Sequence, residues 1–464
     1  PTPAPEHDAP LPYRRRVTSL RSDAHAGHSR ASATASAVQP LLPDLAIEQL
    51  QSLLHVRSWT LAEWFALADR HGFLAPAASV PLFMEAALKY PEHREALLRL
   101  AGRRGQYLAE QNPDWAQLRR IGSRRDELWL SPDPDDRTAW FDYIRTVDPE
   151  LASEELEIAW DDEPTANRLH FLDHLDVGLG EHDYPLLERA LDDPAVRVRE
   201  RAIQLLRQLP RSPFASRMVT RARSWVRLET KPLRPRLAVR LPGSLDDLAF
   251  RDGIEDVHYK NKGIRRWWLR QVVTATPLTL WESMAGSPRD ALTIPIEKQW
   301  RDVMIESWTA ATVLQNNTAW ASAFLERDGR TTDRRIVAIA DPRERVEYIV
   351  AGHADEYLLG VDGSALLDGI DRPWPLAVAE KLLNALENEA LEHAATGEDL
   401  GIHSRHSHFS TLRSVQARFP FEAIPLLRSA ASRTSDPGWQ QAFTDSAVNI
   451  EQRRLRLDVL RSHR

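Results

Sequence analysis

The sequence predicts an all-α fold: an irregular α-solenoid of stacked helix pairs, interrupted near the middle by a Pro-rich, non-helical insertion. Three observations predict it. Apolar residues recur at helical spacing through most of the 464 residues, in runs of about three turns. Acidic-Pro or Gly breaks separate the runs, as at Asp148-Pro149 and Glu163-Pro164. The stretch ALDDPAVRVRERAIQLLRQLP at 190–210 also reads as most of one pair. Its first helix carries Leu187, Ala190 and Leu191, Asp193 and Pro194 turn the chain, and Val198, Ala202, Leu205, Leu206 and Leu209 share a face of the second. Such a pair is too apolar for water and too small to close on itself, so it needs neighbours.

The elements follow in order. Residues 1–43, rich in Pro, Ala, Ser, Arg and His without a sustained period, read as a disordered tail. Helices then start near Asp44, Thr60, Ser79 and His93, and the GRRG at 102–105 is placed to bend the fourth, because each glycine costs roughly 1 kcal/mol inside a helix. From Arg137 the spacing is regular and leads to an arginine-studded helix from Phe214 to about Glu229, ending an N-terminal array at 44–229. At 230–263, KPLRPRLAVRLPG carries three prolines and one short alternating run, LAVRL, which reads as an extended linker or arm. Helical spacing resumes at RRWWLRQVV and continues through a C-terminal array at 264–464. Its last helix, from Gly438, ends in EQRRLRLDVLRSHR, suited to a polar terminal cap.

Composition bounds the chemistry. Hydrophobic residues make up 42% of the chain, the net charge is -7, and there is no cysteine. Disulfides, thiolate nucleophiles and cysteine-held metals are therefore excluded, and the expected compartment is the cytoplasm. No stretch has the uncharged length of a membrane helix, and no apolar segment follows the early arginines as a secretory signal requires. The 15 tryptophans sit mostly in apolar helical patterns and read mainly as core, with any exposed ones serving as anchors.

Three segments carry a family resemblance: GRRGQYLAEQNPDW at 102–115, LLERALDDPAVRVRERAIQLLRQLPRSPFASRM at 186–218, and RDGI with GIRRWWLRQ and PLTLW between 251 and 281. Together they resemble an uncharacterised family of bacterial helical-repeat proteins, a domain of unknown function, over most of the chain from about residue 45. The resemblance implies HEAT-like pairs, in which a turn aspartate and a helix arginine (here Asp193 and Arg199) form polar ladders between neighbours. It also implies an assembly or adaptor setting beside ATPases of the MoxR type and von Willebrand A-like proteins. It supplies no catalytic residues.

Chemical motifs are sparse. No GxxxxGK followed by Ser or Thr, GxGxxG, HExxH or GxSxG is present, so no catalytic residue and no cofactor is expected. His403, His406 and His408 in HSRHSH form a candidate metal cluster, weighed against a solvated loop. The acidic pairs Asp161-Asp162, Asp192-Asp193 and Asp246-Asp247 fall at helix ends, where capping explains them.

Charge is distributed unevenly. Residues 126–193 hold 21 acidic and 4 basic side chains, whereas 197–240 hold 13 basic and 2 acidic. Either the two runs neutralise one another across the array, or they form a docking surface. The expected function is a non-catalytic scaffold or adaptor that binds a protein partner through Arg217, Arg221, Arg223, Arg227, Arg265 and Arg266. The alternative is a HEAT-like nucleic-acid-binding or base-modifying protein, resting on arginine density beside Trp267 and Trp268.

Overall fold

The structure, a computed structural model, describes residues 39–119, 125–230, 235–256, 263–396 and 409–462. Residues 1–38 of the expected tail at 1–43, and the histidines His403, His406 and His408, lie outside the described residues, whereas the tail's last residues are ordered, with Leu42 buried and bonded to Leu74. The fold is all-α, with one two-stranded hairpin among the described residues. The described residues form two compact units. One spans Arg120–Ala323, and the other joins Ala37–Arg119 to Phe324–Arg464.

In the Arg120–Ala323 unit, successive helices are Pro134–Val147, Pro149–Ala159, Thr165–His174, Tyr184–Ala190, Val196–Leu206 and Pro213–Trp225. Most pack on the next helix or the next but one. Their seam is the apolar face read from the sequence: Leu187, Ala190, Leu191, Val198, Ala202, Leu205, Leu206 and Leu209 are all buried. Asp133, Asp148 and Ser212 cap helix starts by accepting backbone N–H bonds, each followed by proline at the first helical position. Trp129 packs against Trp140, Phe141 and Phe171 with ring centroids 5.3 to 6.0 Å apart.

Buried arginines tie the loops of this unit together. The Arg145 guanidinium donates to the carbonyls of Val177 (2.8 Å), Leu175 (3.0 Å) and Pro149 (3.1 Å) and to both carboxylate oxygens of Asp183. Both side chains are fully enclosed, so each satisfies a charge that would be costly alone. Arg137 pairs with Glu163 while lying over the Trp129 ring.

The helix read as 214–229 ends earlier than its spacing suggests. It stops at Trp225, and Val226–Glu229 becomes a strand paired antiparallel with Arg236–Val239, the expected LAVRL run. Val226 is buried in the first strand, and Leu237, Ala238 and Val239 in the second, so the hairpin is anchored mainly through its second strand. The expected linker at 230–263 thus lies inside this unit, because its hairpin is covered: Leu237 N–H bonds the Pro295 carbonyl, and Ile254 is buried. Helices Ile264–Ala275 and Lys298–Leu314 pack together beyond it, and Trp281, Trp308 and Trp320 follow one another at 5.7 and 5.6 Å.

The second unit joins residues far apart in sequence. Helices Asp44–His55, Leu61–Arg70, Val80–Lys89 and Arg94–Gln111 share a core, and Leu460 belongs to it. The last helix, Pro437–Arg461, places Trp439, Phe443, Ala447 and Ile450 in a second core built from residues 337–450. It is therefore a central strut, which corrects the expected terminal cap. Arg453 is 2% exposed, reaches the carbonyls of Gln416 and Phe419, and lies 3.2 Å from Glu63. Burial raises the Glu63 pKa and lowers that of Arg453. The expected bend in the fourth helix is present at Gly102, where φ is +60°, a conformation open to glycine.

Candidate partner-binding surface

The acidic and basic runs of the sequence meet within the Arg120–Ala323 unit. Arg201 bridges Asp173 (2.9 Å) and Asp176 (2.6 Å), and Arg211 pairs with Glu181 (2.9 Å); within the acidic run, Arg189 pairs with Asp161. Such pairs neutralise part of the charge asymmetry, each exposed one contributing about 0–1 kcal/mol. The Asp193 ladder differs from the expected one. Asp193 pairs with Arg168 of an earlier helix at 3.0 Å, while Arg199 donates to the Asp193 and Pro194 carbonyls of its own turn.

The arginine-rich helix Pro213–Trp225 buries Phe214, Ala215, Met218, Ala222 and Trp225, which orients its arginines. Arg217 and Arg221 converge on one carboxylate. Arg217 donates from Nε (2.9 Å) and Nη2 (2.8 Å) to Oδ1 of Asp252, and Arg221 donates to Oδ2 at 3.3 Å. Asp252 is 1% exposed and opens the loop whose next residue, Gly253, has φ of +73°. A Cβ at Gly253 would lie 2.3 Å from Cδ1 of Ile203, so close packing against the neighbouring helix fixes the loop. Glu188 lies 3.1 Å from Arg217 and 3.6 Å from Arg251, and Asp246 pairs with Arg221 at 3.2 Å. Burial alone would lower the Arg217 pKa, but hydrogen bonds to Asp252 and Glu188 outweigh it and hold the guanidinium above its ordinary value. The bond between Arg251 and Asp192 likewise lowers the carboxyl and raises the guanidinium.

The six arginines expected to dock a partner thus divide. Arg217 and Arg221 are counter-ions of a buried aspartate, which would be costly to leave unpaired. Arg266 donates to the Gln299 carbonyl at 2.9 Å. Arg223, Arg227 and Arg265 are exposed and have no ion-pair partner among the described residues. Arg223 leaves the helix on a different side from Arg217 and Arg221, and Arg227 stands on the outward side of its strand.

Beside this helix runs a groove of about 640 Å³, lined on one side by Ser216, Thr220 and Ser224 with Arg217 and Arg221, and on the other by Pro242, Leu245, Leu248 and Ala249. Leu248 is 57% exposed and Phe250, on the same five-residue helix Asp247–Arg251, is 49% exposed. The sequence reading did not single these out, since DLAFR is too short to show a helical period. The sequence shows only two large apolar residues in five, and their exposure is visible only in the fold. The tryptophans do not supply anchors in this unit: Trp160, Trp225, Trp268, Trp281, Trp308 and Trp320 are all buried, and Trp267 and Trp300 are half-buried. Among the described residues, no group of three or more His, Asp or Glu side chains is arranged to hold a metal ion.

A family model described as a family of unknown function (DUF5691) matches residues 9–459. No curated protein and no solved structure matches the chain.

Proposed function

Since the chain belongs to a family of unknown function, its chemistry has to be read from its own surface, and we propose that it is a non-catalytic scaffold or adaptor that binds a protein partner through the arginine-rich face of its Arg120–Ala323 unit. The observation that carries this reading is the division of the arginines. Where acidic and basic runs are interleaved, most cations are taken up internally, yet Arg223, Arg227 and Arg265 remain exposed and unpaired among the described residues. Such cations cost little in free solution and favour an acidic partner by steering its approach and fixing its register. The helix packing of this unit, neighbour on neighbour, supports a HEAT-like solenoid as the scaffold.

A cytoplasmic setting fits the absence of cysteine, and no helix among the described residues is long and apolar enough to cross a membrane. The family resemblance favours a MoxR-type ATPase or a von Willebrand A-like protein as the partner. Nucleic-acid binding is the weaker reading, because of the two tryptophans beside the arginines Trp268 is buried and Trp267 is half-buried, which leaves no run of open ring faces for bases to stack on.

The test is co-purification with the tagged full chain, followed by chemical cross-linking. Cross-links from the partner to residues 213–227 and 264–270 are the expected result. Cross-links confined to the unit formed by Ala37–Arg119 and Phe324–Arg464 would refute the assignment.

A further inference from the structure

An apolar groove of about 750 Å³ opens in the unit formed by Ala37–Arg119 and Phe324–Arg464. Helix Asp44–His55 lines it with Ile47, Leu50 and Leu54, whose spacing of three and four residues puts them on one face. Helix Val80–Lys89 lines it with Leu82, Phe83 and Ala86. Leu50, Leu54 and Phe83 are buried and form the floor, while Leu82 is 38% exposed on the rim. The volume lies within the roughly 300–1,000 Å³ of small-molecule clefts, which combine mostly apolar walls with a few placed polar groups.

The polar groups select the ligand. Tyr90 ends the helix Val80–Lys89, lines the groove and is 9% exposed, yet its hydroxyl has no hydrogen-bond partner among the described residues. A donor so largely withdrawn from water gains more from a ligand acceptor than a surface hydroxyl would. Lys89, also in the lining, is exposed, lies 5.4 Å from the centre of the Tyr90 ring and has no ion-pair partner among the described residues. His55 adds an exposed imidazole from the facing helix. Glu85 is the lining's one carboxylate, and it accepts a bond from Trp115 Nε1 at 3.0 Å. A cationic head group would meet the Lys89 ammonium and leave the Tyr90 donor unused. An anionic one satisfies both.

We infer that this groove binds a small amphipathic carboxylate, its aliphatic chain on Ile47, Leu50 and Phe83 and its head group accepting from the Tyr90 hydroxyl beside Lys89. The seven residues from Ile47 to Leu54 give the chain a track of about 10 Å. The site belongs to the other unit from the arginine-rich face and stands independently of the docking reading.

The probe is decanoate, titrated into the full chain by isothermal titration calorimetry. Saturable binding with Kd below about 100 µM is expected. Octanoate, two buried methylenes shorter, should bind about tenfold more weakly. Decyltrimethylammonium keeps the tail, inverts the charge and should not bind. Tyr90→Phe keeps the ring and removes the hydroxyl, and Ala86→Trp fills the groove from a half-buried position. Each should weaken decanoate at least tenfold with thermal unfolding unchanged. Lys89→Gln, on an exposed side chain, gives the same readout if Ala86→Trp unfolds the unit. No saturable binding below about 100 µM, equal affinity for decanoate and decyltrimethylammonium, or decanoate binding indifferent to these substitutions overturns the inference. An amphipathic helical peptide that binds where decanoate does not, and is lost in Ala86→Trp, would make the groove a protein-docking site and overturn it as well.

Discussion

Replacing Asp252 with asparagine keeps the side chain's shape and removes its charge, leaving Arg217 and Arg221 without their shared counter-ion. Breaking a buried ion pair by removing one partner costs about 3–5 kcal/mol. The full cost does not apply here, because the Arg217 side chain is 27% exposed and keeps Glu188 at 3.1 Å, while Arg221 keeps Asp246 at 3.2 Å. An expected loss of about 2–3 kcal/mol follows, equivalent to a fall of roughly 5–10 °C in Tm for a unit of this size. Hydrogen exchange with mass spectrometry locates the effect, since peptides covering 213–225 and 247–254 should lose protection roughly 30-fold while those from Phe324–Arg464 keep theirs. A loss below about 0.5 kcal/mol, with exchange unchanged at 213–225, would refute the reasoning that Arg217 and Arg221 are structural counter-ions rather than free docking groups.

Three further outcomes follow from the same physics. Arg145→Met removes the counter-ion of the fully enclosed Asp183, which keeps the donors Ser153 and Gly180, and leaves three loop carbonyls without their guanidinium donor; it should destabilise the Arg120–Ala323 unit by about 3 kcal/mol in urea unfolding. Leu460→Asp puts a charge into a fully buried position and should deprotect Asp44–His55 and Leu61–Arg70 in hydrogen exchange, although they lie some four hundred residues away in sequence. The Asp192 carboxyl is held below its ordinary value of 3.8 by the bond from Arg251, so its contribution to stability is present above that pH and lost as pH falls through the lower folded-state value. Asp192→Asn should flatten that part of the acid unfolding curve, and an unchanged slope would show that the pair carries no linkage.

Much of the fold was legible because helical spacing is a local signal. The apolar residues at 187–209 are buried as their period requires, and the Gly102 bend and several capping aspartates and prolines stand where the sequence puts them. What local patterning does not carry is pairing across the chain. Leu460 looks like any helical leucine, yet it completes the core of residues 42–118, so the boundary between units follows packing rather than the Pro-rich stretch. The strand at Val226–Glu229 was hidden because VRLE continues the preceding helix without a breaker. The candidate site was half legible. Arginine density located the surface, but only three-dimensional proximity shows that Asp252, 35 residues after Arg217, claims two of the six arginines.

The most direct measurement is a side-by-side titration of the co-purified partner against the wild-type chain and an Arg223→Glu, Arg227→Glu, Arg265→Glu variant, with folding verified by thermal unfolding. The predicted result is at least tenfold weaker binding by the variant, about 1.4 kcal/mol, with the wild-type affinity itself falling as salt rises. Equal affinity for the two chains would contradict a role for these exposed arginines in docking.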